Sequence, residues 1–132
     1  MMNKSVMKEH FKDRYLSFDD KLESEPALPS SLNIELNNTC NQRCVFCPFH
    51  GSGSKLDRRP ESMDYEMAKK ILEEAFSLGI GRKELGLYMS GEPFLYPHLV
   101  EIIDYAKRIG FQYIYLTTNG GIAFPDIYNP SS

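Results

Sequence analysis

The amino-acid sequence predicts an α/β fold, a parallel sheet built in the order β-α-β-α-β. Three observations predict it. Three short apolar or alternating runs read as strands, two amphipathic patterns of helical period separate them, and glycine or proline punctuates most of the boundaries. Two successive β-α-β units imply right-handed crossovers, so all three strands end at the same edge of the sheet. Ligands of such sheets bind beyond the carboxyl ends of the strands.

The elements follow in order. Residues 1–30 are read as a lead-in segment and 31–132 as one domain. In the lead-in, Phe11, Tyr15, Phe18 and Leu22 recur at helical spacing, and Pro26 and Pro29 then break the pattern. Residues 31–37 alternate apolar and polar side chains, as a strand does. Residues 48–61, PFHGSGSKLDRRPE, read as a loop. Ser62 is placed to cap the first helix, with Asp64 and Glu66 favourable in its first turn. Met67, Ile71, Ala75 and Leu78 form the expected inward stripe, and Gly79 stands where a C-terminal cap belongs. Residues 85–89, LGLYM, suit a buried strand ending at Ser90-Gly91-Glu92-Pro93. The second helix is expected to start near Pro97, to turn Leu99, Ile102, Ala106 and Ile109 to one face, and to end at Gly110. Residues 111–117 read as the third strand and stop at Thr118-Asn119-Gly120. The tail after Gly121 has no clear periodicity.

Composition bounds the class. A chain of 132 residues, 42% hydrophobic and 25% charged, fits one globular domain. A net charge of −3 points to no nucleic-acid partner. No apolar run approaches the roughly 20 residues needed to span a bilayer, so no membrane role is expected. The first thirty residues are too charged for a secretory signal, and a cytoplasmic location is expected.

The chemistry lies in the cysteines. All three cysteines fall within eight residues, as Cys40, Cys44 and Cys47 in a C-x3-C-x2-C pattern. An odd number in a short chain argues against a disulfide framework, and thiols this close can wrap a compact soft metal centre. An iron–sulfur cube usually takes four cysteines. With three, one iron is left without a protein ligand, which is the open position a catalytic metal needs. Zinc is the rival reading, because His50 follows Cys47 closely enough to complete a closed Cys3His site with Cys40, Cys44 and Cys47.

The pattern C-x3-C-x-aromatic-C, with Phe46 as the aromatic residue, resembles the signature of the radical S-adenosylmethionine (SAM) superfamily. Ser90-Gly91-Glu92-Pro93 is similar to that family's Gly-Gly-Glu-Pro motif, with serine for the first glycine, and Thr118-Asn119-Gly120 looks like the turn after its third strand. The likeness runs from about Leu32 to Gly120. It implies that the sheet is the first part of a partial (β/α)6 barrel, and that Cys40, Cys44 and Cys47 ligate a [4Fe–4S] cluster. The open iron would chelate the methionine end of SAM, and a 5′-deoxyadenosyl radical would take a hydrogen from a substrate. Phe46 would lie near the adenine. Ser90, Gly91, Glu92, Pro93 and Asn119 would form the rest of the cofactor site, with glycine admitting main chain close to the ligand. The resemblance further implies a small-molecule or peptide substrate and an electron donor such as flavodoxin or ferredoxin.

Against these stand plainer readings. SGEP and Asn-Gly are common turns, His50 is a loop residue, and Arg58 and Arg59 are solvated loop charges. Tyr113 and Tyr115 are packing residues. The sequence supplies three strands of a six-unit core, so 31–132 is read as a truncated core domain, a fragment of a longer enzyme of SPASM type whose isolated turnover is not expected.

Overall fold

The computed structural model describes residues 28–122. The helix expected over 11–22 and the tail from 123 onward lie outside the described residues. Within them the order is β1 (Ser31–Asn33), α1 (Tyr65–Ser77), β2 (Glu84–Gly86), α2 (Leu99–Ile109) and β3 (Ile114–Tyr115). The sheet has the order β1-β2-β3 and both pairings are parallel, as the sequence predicts. Leu32 stands beside Leu85, and Leu85 beside Ile114.

The regular strands are shorter than the apolar runs that announced them. Ladder hydrogen bonding continues just beyond them, with the Ile34 N–H on the Gly86 carbonyl and the Leu87 N–H on the Tyr115 carbonyl, both at 2.9 Å. Past that point the chains separate. Asn37 leaves the sheet to make an antiparallel bridge with Ser62. That bridge also explains why Ser62 is not the helix cap. The cap is Asp64, whose side chain accepts the Met67 N–H at 3.0 Å.

Helix α1 turns a different row inward from the one expected. Ala68, Leu72 and Ala75 are buried and Ile71 packs at their edge, whereas Met67 and Leu78 are 53% and 52% exposed. Two adjacent i, i+4 rows of this helix are apolar, and packing against α2 selects between them. The helix ends at Leu78, followed by Gly79 in the left-handed region at φ 81°. In α2 the expected face holds: Leu99, Ile102 and Ala106 are buried, Ile109 is partly so, and Gly110 is the C-cap. It begins at Leu99, after a 3-10 turn over Pro93–Leu95 that the sequence did not announce.

The core lies between the sheet and the two helices. Leu36, Leu72, Leu85, Leu87 and Ile102 have essentially no contact with solvent. Each such side chain contributes about 1.5–3 kcal/mol of transfer free energy on burial. Phe111 and Phe76 close the lower end edge to face, with ring centres 5.2 Å apart. This packing holds three strand ends side by side, and from them emerge three loops.

Candidate functional site

The first loop leaves β1 through Asn37, which is 5% exposed. Its side-chain amide donates to Thr39 Oγ1 at 2.9 Å and to the Glu92 carbonyl at 3.2 Å. In return the Glu92 N–H donates to the Thr39 carbonyl at 2.7 Å. The first and second loops are therefore laced together main chain to main chain. Gly91 sits at the crossing, where a Cβ would lie 2.4 Å from the Asn37 carbonyl oxygen and 2.8 Å from that of Thr39. No larger residue fits there without parting the loops.

The second and third loops are joined by the Glu92 carboxylate, which is 3% exposed. One oxygen accepts from Thr118 Oγ1 at 2.6 Å and from the Phe94 N–H at 3.2 Å. The other accepts from the Asn119 N–H at 2.8 Å. Asn119 then turns to the first loop: its amide donates to Asn41 Oδ1 at 2.8 Å and lies 3.8 Å from Cys40 Sγ. The three motifs are thus tied in a closed circuit at one edge of the sheet, which local sequence placement predicts and hydrogen bonding enforces.

The cysteines lie on the exposed outer part of the first loop. All three are free thiols and partly exposed. The loop is shaped by its own main chain, with the Cys47 N–H on the Cys44 carbonyl at 2.9 Å and the Gly51 N–H on the Cys47 carbonyl at 3.0 Å. A Cβ on Gly51 would come within 2.5 Å of the Cys47 carbonyl oxygen and 2.8 Å of that of Cys44. Cys47 Sγ accepts the His50 N–H at 3.3 Å. That hydrogen bond, aided by the N–H groups of Phe49 and Gly51, holds the Cys47 thiol below its ordinary pKa against a smaller opposing effect of burial. Cys40 Sγ receives the Gln42 N–H at 3.4 Å.

These features fit an iron–sulfur cluster. Three thiol donors match three irons of a cube, and N–H groups aimed at sulfur stabilise bound thiolate. A cube takes one thiolate per iron, so its ligands need not meet at a point. Zinc would require them to meet. Among the described residues no group of three or more His, Cys, Asp or Glu side chains is placed to hold one metal ion. His50 serves the loop through its main chain, and its Nε2 is buried with no hydrogen-bond partner. Nothing supports the Cys3His zinc module.

Ser90 and Arg58 differ from their plainer readings. Ser90 is 7% exposed, and its hydroxyl and N–H both bond to the Glu35 carboxylate, the N–H at 2.9 Å. Arg58 bridges the pair, with one nitrogen 2.8 Å from Ser90 Oγ and another 2.9 Å from Glu35 Oε2. Its side chain is 43% exposed, yet it is bonded to both partners and is not a free loop charge. Burial pushes the Glu35 carboxyl up, but the bonds from Ser90 and Arg58 outweigh this and leave it below the usual carboxylate range. Phe46 is 86% exposed on the cysteine loop, Pro93 is buried at the start of the 3-10 turn, and Tyr115 packs on Tyr88 with ring centres 5.4 Å apart. Sequence reasoning missed Glu35, Asn37 and Thr39 as members of the site, and placed Thr118 in the third motif without a partner for its hydroxyl. Only the Asn-Asn-Thr run directly before Cys40, a stretch of side chains able to bond main chain, offered a local signal.

The family follows from comparison. Residues 34–129 match the model of the radical SAM superfamily, and the chain belongs to that superfamily. Members of the family use a [4Fe–4S] cluster and S-adenosylmethionine. Among curated relatives, a probable GTP 3′,8-cyclase of Methanothermobacter marburgensis is 36% identical over 90 residues, 68% of this chain and 27% of its own. The PqqA peptide cyclase of Gluconobacter oxydans is 32% identical over 95 residues, 72% of this chain and 25% of its own. The chain therefore spans about a quarter of the length of these relatives. Among solved structures, BtrN in complex with AdoMet and 2-DOIA superimposes with a TM-score of 0.65 at 27% identity, covering 74% of this chain and 39% of BtrN. Among the described residues no helix is long and apolar enough to cross a membrane.

Proposed function

We propose that this chain forms the cluster-binding and SAM-binding part of a radical SAM enzyme that abstracts hydrogen from its substrate. The observation that carries the reading is the closed hydrogen-bond circuit, which brings the cysteine loop, Ser90–Pro93 and Thr118–Asn119 to one edge of the sheet. Cys40, Cys44 and Cys47 would each hold one iron, and the iron without a cysteine would be left for the methionine end of SAM. Such a cluster, once reduced, would supply the one electron needed for reductive cleavage of SAM. The chain's own residues bind and orient. Gly91 and Pro93 would offer main chain to the methionine amino group, and Phe46 would lie near the adenine. Glu92 acts from behind: its carboxylate faces Thr118 and Asn119, so it serves the cofactor by ordering both loops. Asn119 braces the third loop against Cys40.

The substrate class is a small molecule or a peptide. The relatives support both, since one is named for GTP and another for the PqqA peptide. The electron donor is a one-electron carrier of flavodoxin or ferredoxin type, reaching the exposed cysteine loop. Free, partly exposed thiols suit a reducing cytoplasm. Anaerobic reconstitution with iron and sulfide tests the assignment. About four irons per chain with broad charge-transfer absorbance are expected, and Cys44→Ala should abolish both. Stoichiometric zinc uptake without a cluster would overturn it.

A further inference from the structure

The second loop is held at both ends, and only one of the two fastenings follows from the family motif. At the far end, Glu92 bonds Thr118 and Asn119. At the near end stands Ser90, where the motif has glycine. A glycine has no hydroxyl to offer, so the contact to Arg58 exists because of the serine.

The origin of Arg58 matters. It lies on the return arm of the cysteine loop, and that arm is itself fastened to the first loop. The Asn38 amide donates to the Arg59 carbonyl at 2.8 Å, the Glu61 N–H donates to Asn38 Oδ1 at 2.8 Å, and the Asn38 N–H donates to the Glu61 carbonyl at 3.1 Å. From this fixed arm the guanidinium spans to Ser90 and Glu35 together. A planar fork can serve two acceptors at once, which an ammonium on a flexible stem does poorly. Between the two fastenings lies Gly91, pressed on the Asn37 and Thr39 carbonyls.

We infer that Arg58 is a positioning residue for the cofactor-facing loop: with Glu35 it clamps Ser90, and so fixes the near end of the Gly91–Pro93 main chain as Glu92 fixes the far end. The inference rests on the proposed reading of that main chain as the methionine-binding surface. Arg58 acts through Ser90 and not on the ligand.

The test uses the full chain, reconstituted with cluster, as wild type, S90G, R58Q, R58K and the S90G/R58Q double variant. Two quantities are read: the SAM dissociation constant by equilibrium dialysis, and amide hydrogen exchange over residues 90–94 without SAM. Either single variant should weaken SAM binding about tenfold, because each removes the Arg58–Ser90 bond and one further bond to Glu35 that hold this loop. Cluster iron content should hold, because no cysteine contact is touched. The double variant should lose clearly less than the two single losses combined, since the variants share the Arg58–Ser90 contact and differ only in which bond to Glu35 each removes. R58K should fall with R58Q. Exchange at Gly91 and Glu92 should speed up in every variant. Additive losses in the double variant would mean that Arg58 meets the ligand directly, and would overturn the inference. Wild-type affinity in R58K, or unchanged exchange in S90G and R58Q, would overturn it too. A wild-type chain that holds its cluster without binding SAM would instead sink the underlying reading, and the exchange data would still decide the clamp.

Discussion

Replacing Glu92 with glutamine keeps the size of the side chain and removes one acceptor. The carboxylate is 3% exposed, and its two oxygens serve three donors: Thr118 Oγ1 and the Phe94 N–H on one, the Asn119 N–H on the other. A glutamine amide presents oxygen to only one side. In one orientation its NH2 faces the Asn119 N–H; flipped, it faces the Phe94 N–H. Either way a main-chain donor at the loop junction meets another donor. Loss of one hydrogen bond to a charged group costs about 1.5–3 kcal/mol. The expected destabilisation of E92Q is about 2–3 kcal/mol, a large share of the roughly 5–15 kcal/mol that holds a domain folded. For a domain of this size that lowers Tm by about 6–15 °C. Urea unfolding of the cluster-free chain, followed by far-ultraviolet circular dichroism under reducing conditions, reads it directly. Glu74→Gln, at an exposed position on α1, is the control and should lie within about 0.5 kcal/mol of wild type. An E92Q midpoint equal to wild type would refute the role given to this carboxylate. Loss of SAM binding at unchanged stability would mean that Glu92 touches the cofactor itself.

Three further outcomes are expected. Gly51→Ala forces a Cβ to within 2.5 Å of the Cys47 carbonyl oxygen, so cluster iron content should drop sharply while the helical dichroism stays intact; full cluster uptake would contradict the cradle. Leu72→Ala empties a fully buried core position on α1 and should cost about 2–5 kcal/mol in urea unfolding, and a loss under 1 kcal/mol would argue against that packing. Glu35 has a depressed carboxyl pKa in the fold, so its contribution to stability is present above the ordinary glutamate value of about 4.3 and is lost as pH falls through the folded value. The stability gap between wild type and Glu35→Gln should therefore narrow as pH is lowered below about 4, and a gap constant down to pH 3 would count against the Arg58–Glu35–Ser90 contacts.

What was legible in the sequence was local. Most strand runs and both helix patterns change period at a glycine or proline, and the first strand runs straight into the cysteine motif, so the order of elements and the three loop ends could be read without knowing the packing. The cysteine spacing and Glu92-Pro93 are contiguous motifs for the same reason. What was not legible depends on partners far along the chain. Arg58 finds Ser90 across 32 residues, Asn37 finds the Glu92 carbonyl across 55, and Thr118 finds Glu92 across 26. Each of these polar side chains reads alone as a surface or turn residue. Ser62 failed as a cap because it bridges to Asn37, and Met67 failed as core because Ala68 and Leu72 present the better row to α2. Ser90 drew notice as a departure from the motif, but only its contacts with Arg58 and Glu35 give the serine a reason.

The central claim is that three strand-end loops of this chain make one site that holds a cluster with an open iron and binds SAM at it. Electron paramagnetic resonance of the reconstituted, dithionite-reduced chain, recorded with and without SAM, tests it most directly. The account predicts a reduced-cluster signal that changes on adding SAM, because the ligand occupies the iron that no cysteine holds. A cluster signal identical in both samples would contradict it.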